Sequence, residues 1–541
     1  MGEADSYYNT NNQGNGPPPQ YDGGQHGYGQ HEQPQSVYNG YQAPSPQSQP
    51  PPPPQQQAFA PPPTGYGEGD EKYSFEQTFK VERPKWNDLW AGILFLLFCA
   101  GFVAVSGIAL HGYATTRGIQ GGGIYDGSNT FGLDTNTIIL FIFVLVVAFV
   151  FGFGYVWLAR LFPKLFIWVT GILNICWAIG TGVFYMWRHY WSAGIVFLIF
   201  GVFIAFCFYT WISRIPFSAL MLKTAIDVSK KYGHVYMVSF IGGLIATGFG
   251  AWYSITLVAI YAKWQPASDN PSCSGGGCSH ARVIGLIVFV TFAMYWISEW
   301  IKNTMHTTIA GVYGSWYFCP HNFPKHATRG AAKRSLTYSF GSICLGSLIV
   351  AIIQFLRHIC SVVRSQAGQE GGVSGAIGYA IFCVLSCLIW LLQWAAQFFN
   401  RYAFCHIALY GKAYIPAAKD TWNMIKDRGF DALINDCLIG PVLSFGAVFV
   451  AYACALLAYL YLFFTDPGYN NDGQYTPFVV AFSFLIGLQI ANIFTTPLSS
   501  GVDTIFVAAG WDPQVMPRDH PELYEEMVKV YPKVQQMIRV R

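Results

Sequence analysis

Charged residues are scarce in this chain, and that scarcity sets its class. Asp, Glu, Lys and Arg make up 11% of the 541 residues, while 52% are hydrophobic. A soluble domain carries about 25% charged residues. The deficit predicts a membrane protein. The formal net charge of +3 is too small to indicate a nucleic-acid partner.

Several sequence motifs of enzymes and channels are also missing. The chain contains no GxxxxGK[ST] phosphate loop, no HExxH zinc motif and no GxSxG nucleophile elbow. It has no TVGYG filter and no arginine ladder within an apolar run. These absences disfavour an ATP-driven pump, an intramembrane metalloprotease, a potassium pore and a voltage sensor. We therefore expect no enzymatic activity, no cofactor and no metal site.

The first 70 residues lack Lys and Arg altogether, and they hold 14 of the 30 prolines. Such a segment buries too little apolar surface to offset its ordering entropy, which predicts a disordered cytoplasmic tail over residues 1–80. Within it the string PPQY, with Pro18, Pro19 and Tyr21, fits the PPxY pattern that WW domains bind. The alternative is that a tail of this composition contains the string by chance.

Ten apolar runs are long enough to cross a bilayer as helices, which needs about 20 residues each. They predict an all-α polytopic membrane domain over residues 86–500, followed by a cytoplasmic C-terminal tail over residues 501–541. The ten predicted spans are Leu89–Leu110, Asn136–Ala159, Leu165–Met186, Trp191–Ile212, Val235–Tyr261, Val283–Trp300, Leu336–Leu356, Ala376–Phe399, Cys437–Phe464 and Phe478–Thr496.

The basic residues give an independent test of this count. With ten spans both termini lie on one side, and 25 of the 31 Lys and Arg fall on that side. Loops rich in Lys and Arg face the cytoplasm. The pattern predicts cytoplasmic termini, and one span more or fewer would destroy it.

The same orientation places Cys273 and Cys278 in an outside loop between spans 5 and 6, within the string CSGGGC. Disulfides persist outside the cell, which favours a bridge between these two cysteines. Two free thiols are the alternative. The other eleven cysteines are expected to be reduced.

One face of span 8 combines aromatic rings with amides. Trp390, Gln393, Trp394 and Gln397 recur at i, i+3, i+4 and i+7, and such a face suits an organic cation without a buried charge. A helix–helix seam joined by Gln hydrogen bonds is the alternative.

The start of span 7 provides a second candidate lining. Tyr338 opens the string YSFGSICLGS, in which Gly341 and Gly346 permit either a broken helix or close helix packing. Together with the span 8 face, Tyr338 is predicted to bind substrate.

Span 6 ends in WISEWIK, which places Glu299 between Trp296 and Trp300. Tyr295 and Glu299 are four residues apart, so one helix face can present a ring and a carboxylate to a cation. The alternative is an interface anchor in which Lys302 pairs with Glu299 at the cytoplasmic end. The positive-inside assignment favours this second interpretation, as a gate or an ion pair.

The segment from Arg401 to Arg428 alternates apolar and charged residues at helical spacing. This pattern is typical of amphipathic helices that lie against the bilayer. A structural skirt is the preferred interpretation, and a gate over the inner mouth is the alternative.

Long strings through the membrane part resemble the choline transporter-like family, and within it the fungal pH-nine-sensitive (PNS) branch. They are ERPKWNDLW at Glu82, GIYDGSNT at Gly123, YWSAGIVFL at Tyr190, SRIP at Ser213, GSWYF at Gly314, SLTYSFGSICLGSLIVAI at Ser335, FNRYAFCHIALYGK at Phe399 and DALINDCL at Asp431.

The resemblance implies a plasma-membrane protein with about ten spans and a role in solute transport. Animal members of the family are similar to carriers of choline or related amines, but the resemblance does not settle the substrate here. Our leading expectation is a secondary transporter of a small organic solute. A non-transporting adaptor or sensor that recruits partners through its tail is the alternative, and a channel or lipid-moving protein is a third possibility.

Overall fold

The structure, a computed structural model, describes most of the membrane part of the chain. It covers residues 85–117, 135–189, 191–264, 266, 278–369, 372–428, 431–465 and 476–532. Internal contacts divide the chain into residues 1–69 and 70–541, and every described residue lies in the second unit. The predicted tail over residues 1–80, the PPQY string and Cys273 lie outside the described residues.

All described secondary structure is helical, and no strand occurs in the described ranges. The fifteen α-helices of these ranges are α1 (Leu89–Arg117), α2 (Thr135–Leu161), α3 (Pro163–Trp187), α4 (Trp191–Trp211), α5 (Ile215–Lys231), α6 (His234–Trp264), α7 (His280–Phe318), α8 (Ala327–Leu336), α9 (Phe340–Gln369), α10 (Gly372–Tyr410), α11 (Tyr414–Arg428), α12 (Asp431–Thr465), α13 (Thr476–Trp511), α14 (Val515–Asp519) and α15 (Pro521–Val530). A short 3-10 turn over Ile212–Arg214 joins α4 to α5.

Among the described residues, ten helical stretches are long and apolar enough to cross a membrane, which confirms the predicted number of spans. Two helices continue past the predicted span ends. Span 6 was expected to end at Trp300, but α7 continues to Phe318. Span 10 was expected to end at Thr496, but α13 continues through Pro497 to Trp511, so the predicted domain boundary at residue 500 falls inside a helix. Hydropathy marks only the apolar part of a helix. These two helices continue beyond that part because other helices bury the polar residues that follow.

Helix α7 is the centre of the bundle. It packs against α1, α6, α8, α9, α10, α13 and α14. Its 39 residues span about 58 Å, roughly twice the thickness of the hydrocarbon core. The second half of α7 is therefore an extension of the bundle beyond the bilayer, and nearly every side chain from His306 to Phe318 is buried.

The extension belongs to one end of the bundle, which we call the basic end. It comprises the start of α1, the helices α5, α8, α11 and α14, and the adjoining ends of α7, α10 and α13. Hydrogen bonds join these parts: the Tyr313 hydroxyl donates to the Ala225 carbonyl at 2.9 Å, and the Tyr317 hydroxyl donates to the Asp512 carbonyl at 2.9 Å. The Tyr410 hydroxyl donates to Asp512 Oδ2 at 2.6 Å.

Asp88 fastens three chain segments at this end. Its Oδ2 accepts hydrogen bonds from the Ser342 hydroxyl at 2.6 Å and from the Tyr414 backbone N–H at 2.8 Å. The neighbouring Asn87 side chain donates to the Gly411 carbonyl at 2.8 Å. The start of α1 is thereby tied to the start of α9 and to the link between α10 and α11. We call this set of contacts the Asp88 clamp.

The clamp requires a glycine at position 341. A Cβ atom there would lie 2.3 Å from the Asp88 carbonyl oxygen and 2.5 Å from the Asn87 carbonyl oxygen. Gly346 is packed in the same way against the rings of Tyr414 and Phe404. Because α9 is continuous from Phe340, close packing is the correct alternative for these glycines, and the helix is not broken.

We predict that Gly341→Ala destabilises the protein by about 1–3 kcal/mol, because the new methyl group collides with backbone that cannot rotate away. The measurement is the thermal melting midpoint of the detergent-solubilised protein. Gly285→Ala in α7 is the matched control, since a Cβ at that position meets no atom within 4 Å. That control gains helix propensity and is expected to melt at the same temperature or slightly higher. Equal melting of the two variants would contradict the clamp.

Candidate functional site

Glu299 is a buried carboxylate in the middle of the central helix. Its side chain is 8% exposed. Gln354 of α9 donates to Glu299 Oε1 at 2.6 Å, and the Lys302 ammonium lies 3.3 Å from Oε2 and 3.4 Å from Oε1. Lys302 is 51% exposed, so the carboxylate is inside the bundle while its cationic partner reaches outward. The predicted pair is therefore formed in the structure, whereas its role as a gate stays a prediction.

A row of polar side chains continues from Glu299 across α9 to α10. Gln354 and Arg357 lie one helical turn apart on α9. Arg357 donates to Gln393 Oε1 at 2.9 Å, which links α9 to α10. The row thus joins α7, α9 and α10 through Glu299, Gln354, Arg357 and Gln393. Sequence inspection notes the polar residues but gives no indication of which helices they connect.

An aromatic cluster occupies the same turns of α7. The Phe95 ring of α1 packs 5.3 Å from Trp296 and 5.1 Å from Trp300. Trp296 is 1% exposed and its indole N–H donates to the Cys344 carbonyl at 3.0 Å. Phe340 of α9 completes the cluster, 5.8 Å from Trp300. Trp296 is thus fixed by packing and by a hydrogen bond to α9.

Two polar atoms in this region are buried without hydrogen-bond partners among the described residues. They are Trp300 Nε1 and the hydroxyl of Thr304. The two residues are four apart, so they lie on one face of α7. Buried polar groups are normally satisfied, and an exception indicates water, an ion or a ligand at that position.

The face of α10 that was predicted to bind substrate points outward from the described bundle. Trp390 is 46% exposed and Trp394 is 38% exposed. Trp394 stacks on Phe398, and Gln397 is half-buried. Gln393 accepts a hydrogen bond from Arg357. The tryptophans therefore face the surroundings of the protein, and a binding role for them stays a prediction.

Tyr338 is separate from the α10 face. It lies in the turn between α8 and α9, at the basic end, and its ring packs 5.6 Å from Trp86. No ring contact joins it to Trp390 or Trp394 in the described part of the chain. The predicted substrate-binding set is thus divided between two places.

Sequence inspection missed a buried polar layer at the basic end. The Nδ1 atom of His306, on α7, lies 2.9 Å from the Ser500 hydroxyl of α13. Its Nε2 atom lies 2.9 Å from the Arg401 carbonyl oxygen of α10. Asn303 donates to the Ser347 hydroxyl of α9 at 2.9 Å. Asn303, His306, Arg401 and Ser500 lie beyond the predicted span ends, whereas Ser347 lies within span 7. The uncharged run from Asn303 to Phe318 is the signal that could have revealed them.

The layer extends to the Asp88 clamp through Asn400 and Tyr414. Asn400 donates to the Gly346 carbonyl at 2.8 Å, and the Tyr414 hydroxyl donates to Asn400 Oδ1 at 2.6 Å. Burial raises the pKa of Tyr414 to about 12, so its hydroxyl keeps its proton and this hydrogen bond at physiological pH. The basic end is consequently closed by neutral hydrogen bonds as well as by packing.

Cys278 is disulfide-bonded. Its predicted partner Cys273 lies outside the described residues, so the pairing itself stays a prediction. Ten other cysteines of the described ranges carry free thiols. No group of three or more His, Cys, Asp or Glu side chains suited to a metal ion occurs in the described ranges.

We predict that His306→Phe lowers the melting midpoint of the purified protein, because both imidazole nitrogens have partners across helix boundaries. A lost buried hydrogen bond costs about 1–3 kcal/mol. His406→Phe in α10 is the matched control: His406 is fully buried, but neither of its nitrogens has a hydrogen-bond partner among the described residues. The control should change the midpoint less. A larger loss in His406→Phe than in His306→Phe would contradict this account of the layer.

Comparison with known proteins identifies the family. A family model described as plasma-membrane choline transporter matches residues 195–514. A protein named PNS1 from Gibberella zeae is 69% identical over 555 residues, covering 100% of both chains. The pns1 protein of Aspergillus fumigatus is 62% identical, covering 86% of this chain and 87% of its own. PNS1 of Saccharomyces cerevisiae is 43% identical, covering 85% of this chain and 87% of its own. The chain therefore belongs to the choline transporter-like family, in the branch of the fungal PNS proteins.

Proposed function

We propose that this protein is a secondary transporter that carries a small organic solute across the plasma membrane, with organic amines as the leading substrate class. Membership of the choline transporter-like family supports transport. The distribution of Lys and Arg supports cytoplasmic termini, and the basic end then faces the cytoplasm. The mechanism is alternating access, without ATP chemistry or any enzymatic step in this chain.

The observation that carries the proposal is the burial of Glu299 inside the central helix. A carboxylate away from water is costly and is retained where it pairs with a cation. In this structure the partner is the ammonium of Lys302, on a flexible and half-exposed side chain. An amine substrate can take the place of that ammonium while Gln354 continues to hold Oε1. Glu299 is then the substrate's counter-ion, and Lys302 is its competitor.

The aromatic cluster and the unpartnered polar atoms suit such a substrate. Aromatic faces attract quaternary and protonated amines by roughly 0.5–2 kcal/mol per contact. Trp296, Trp300 and Phe95 supply these faces on α7 and α1. The free N–H of Trp300 and the hydroxyl of Thr304 can bind a hydroxyl or carbonyl oxygen of the same solute.

Release on the cytoplasmic side requires the basic end to open. The interactions that must separate are the Asp88 clamp and the His306 layer, which together join α1, α7, α9, α10 and α13. Each is a hydrogen bond that water can replace. The packed basic end is therefore the inner gate of the proposed cycle, in its closed form.

We predict that Glu299→Gln abolishes most saturable amine uptake, because the neutral amide removes the counter-ion but preserves size and the contact with Gln354. The assay is uptake of labelled choline and of a panel of small amines into proteoliposomes, with and without a pH gradient. Trp394→Ala is the parallel variant for the α10 face. Uptake that falls in Trp394→Ala and survives in Glu299→Gln would move the site to α10.

A chain that moves no amine under any gradient would contradict the transport proposal. The adaptor alternative would then lead, and pull-down of WW-domain proteins through Pro18, Pro19 and Tyr21 would test it. Melting midpoints of all variants must be recorded first, so that unfolded protein is not counted as inactive protein.

We predict that Lys302→Gln lowers the KM for the transported amine, because it removes the cation that competes for Glu299. Lys302→Arg keeps the charge and is the control, with a KM near that of the unchanged protein. An ion pair with a purely structural role gives the opposite result: Lys302→Gln would lower the melting midpoint without lowering KM.

A further inference from the structure

Helix α11 has one buried face and one exposed face. Tyr414, Ala417, Thr421 and Met424 are at most 7% exposed and pack against the bundle. The exposed residues are Ile415, Lys419, Trp422 and Lys426. Their spacing of i, i+4, i+7 and i+11 places them in a single stripe along the helix. We call this set the α11 stripe.

The stripe combines two large apolar side chains with two lysines. Ile415 is 61% exposed and Trp422 is 56% exposed, which is costly in water. Neither Lys419 nor Lys426 has an ion-pair partner among the described residues. The nearby Asp420 is engaged by Lys412 at 2.6 Å. The stripe therefore presents two cations that the described part of the protein does not neutralise.

The position of the stripe indicates what covers it. The Trp422 ring packs 5.7 Å from Phe399, which lies on α10. Farther along α10, the side chains of Leu388, Leu391 and Trp394 are exposed. This outward surface of a spanning helix contacts lipid tails. The α11 stripe continues that surface at the point where α10 leaves the hydrocarbon region, which is the level of the lipid headgroups.

We propose that the α11 stripe is a binding site for anionic glycerophospholipids. Ile415 and Trp422 enter the boundary between headgroups and acyl chains, where amphipathic aromatic rings are favoured. Lys419 and Lys426 bind the phosphate and the net negative charge of the headgroups. The inference does not depend on whether the protein transports a solute.

Helix α5 provides an internal comparison at the same end of the bundle. It carries three exposed lysines, Lys223, Lys230 and Lys231, of which the first two are seven residues apart. No large hydrophobic side chain of α5 is exposed, because its apolar residues are buried against the bundle. Exposed lysines with no exposed apolar side chain beside them are typical of a helix face that is in contact with water. The difference between α5 and α11 therefore separates a lipid site from a surface that is merely basic.

The test is native mass spectrometry of the full-length protein, purified in detergent and offered phosphatidylserine together with phosphatidylcholine. We expect the unchanged protein to retain phosphatidylserine preferentially. The double variant Lys419→Gln, Lys426→Gln should lose this preference by up to roughly 25-fold, at about fivefold per lysine near a charged surface. The double variant Lys223→Gln, Lys230→Gln removes the same charge from α5 and should keep the preference. The double variant Lys419→Arg, Lys426→Arg should also keep it.

Three outcomes would overturn the proposal. Equal loss in the α5 and α11 variants would mean that net charge alone attracts the lipid. Equal retention of phosphatidylserine and phosphatidylcholine by the unchanged protein would mean that no anionic site exists. Displacement of phosphatidylserine by inorganic phosphate would mean that the lysines bind free anions and not a membrane surface. Melting midpoints of each variant confirm that the compared proteins are folded.

Discussion

The structure depends on one constraint, the burial of a long central helix whose two halves have different surroundings. The first half of α7 is largely apolar and packs among spans, while the run from Asn303 to Phe318 carries polar but uncharged side chains. Polar groups inside such a bundle must find partners within the protein. Asn303 and His306 do so on α9, α10 and α13, and these bonds fix how the other helices are arranged around α7.

Glu299 lies close to the boundary between these two halves. The two turns of α7 that precede Glu299 carry no charged residue, and the buried polar layer begins one turn after Glu299. Glu299 thus lies next to both the apolar part of the bundle and the buried polar layer of the basic end. In the proposed function this location matters, since a transported solute must be exposed to each side in turn. In that proposal Glu299 pairs with Lys302 and with the substrate at different stages of a cycle.

The basic end is an assembly in its own right and not a set of loops. Short helices α5, α8, α11 and α14 pack against the ends of the spanning helices, and backbone carbonyls accept many of the connecting hydrogen bonds. Its inner surfaces are tightly packed, as at Gly341 and Gly346. Its outer surfaces carry the lysines, and on α11 these accompany the exposed side chains of Ile415 and Trp422. In the proposed transport cycle the inner surfaces separate, while the α11 stripe on the outer surface is the proposed lipid site.

The amino-acid sequence by itself determined the class of the protein, the number of spans and their order, because apolar length and the placement of Lys and Arg are properties of the linear chain. It also drew attention to Glu299 and Lys302, since they stand three residues apart on one helix. The tertiary structure alone decided that Gln354 meets Glu299, that Asp88 meets Ser342 and Tyr414, and that Trp390 and Trp394 face outward. The physical reason is that lipid-facing and protein-facing positions of a spanning helix are both apolar. The side that packs against the protein therefore leaves little trace in the sequence, and only the contacts among helices distant in the chain define it.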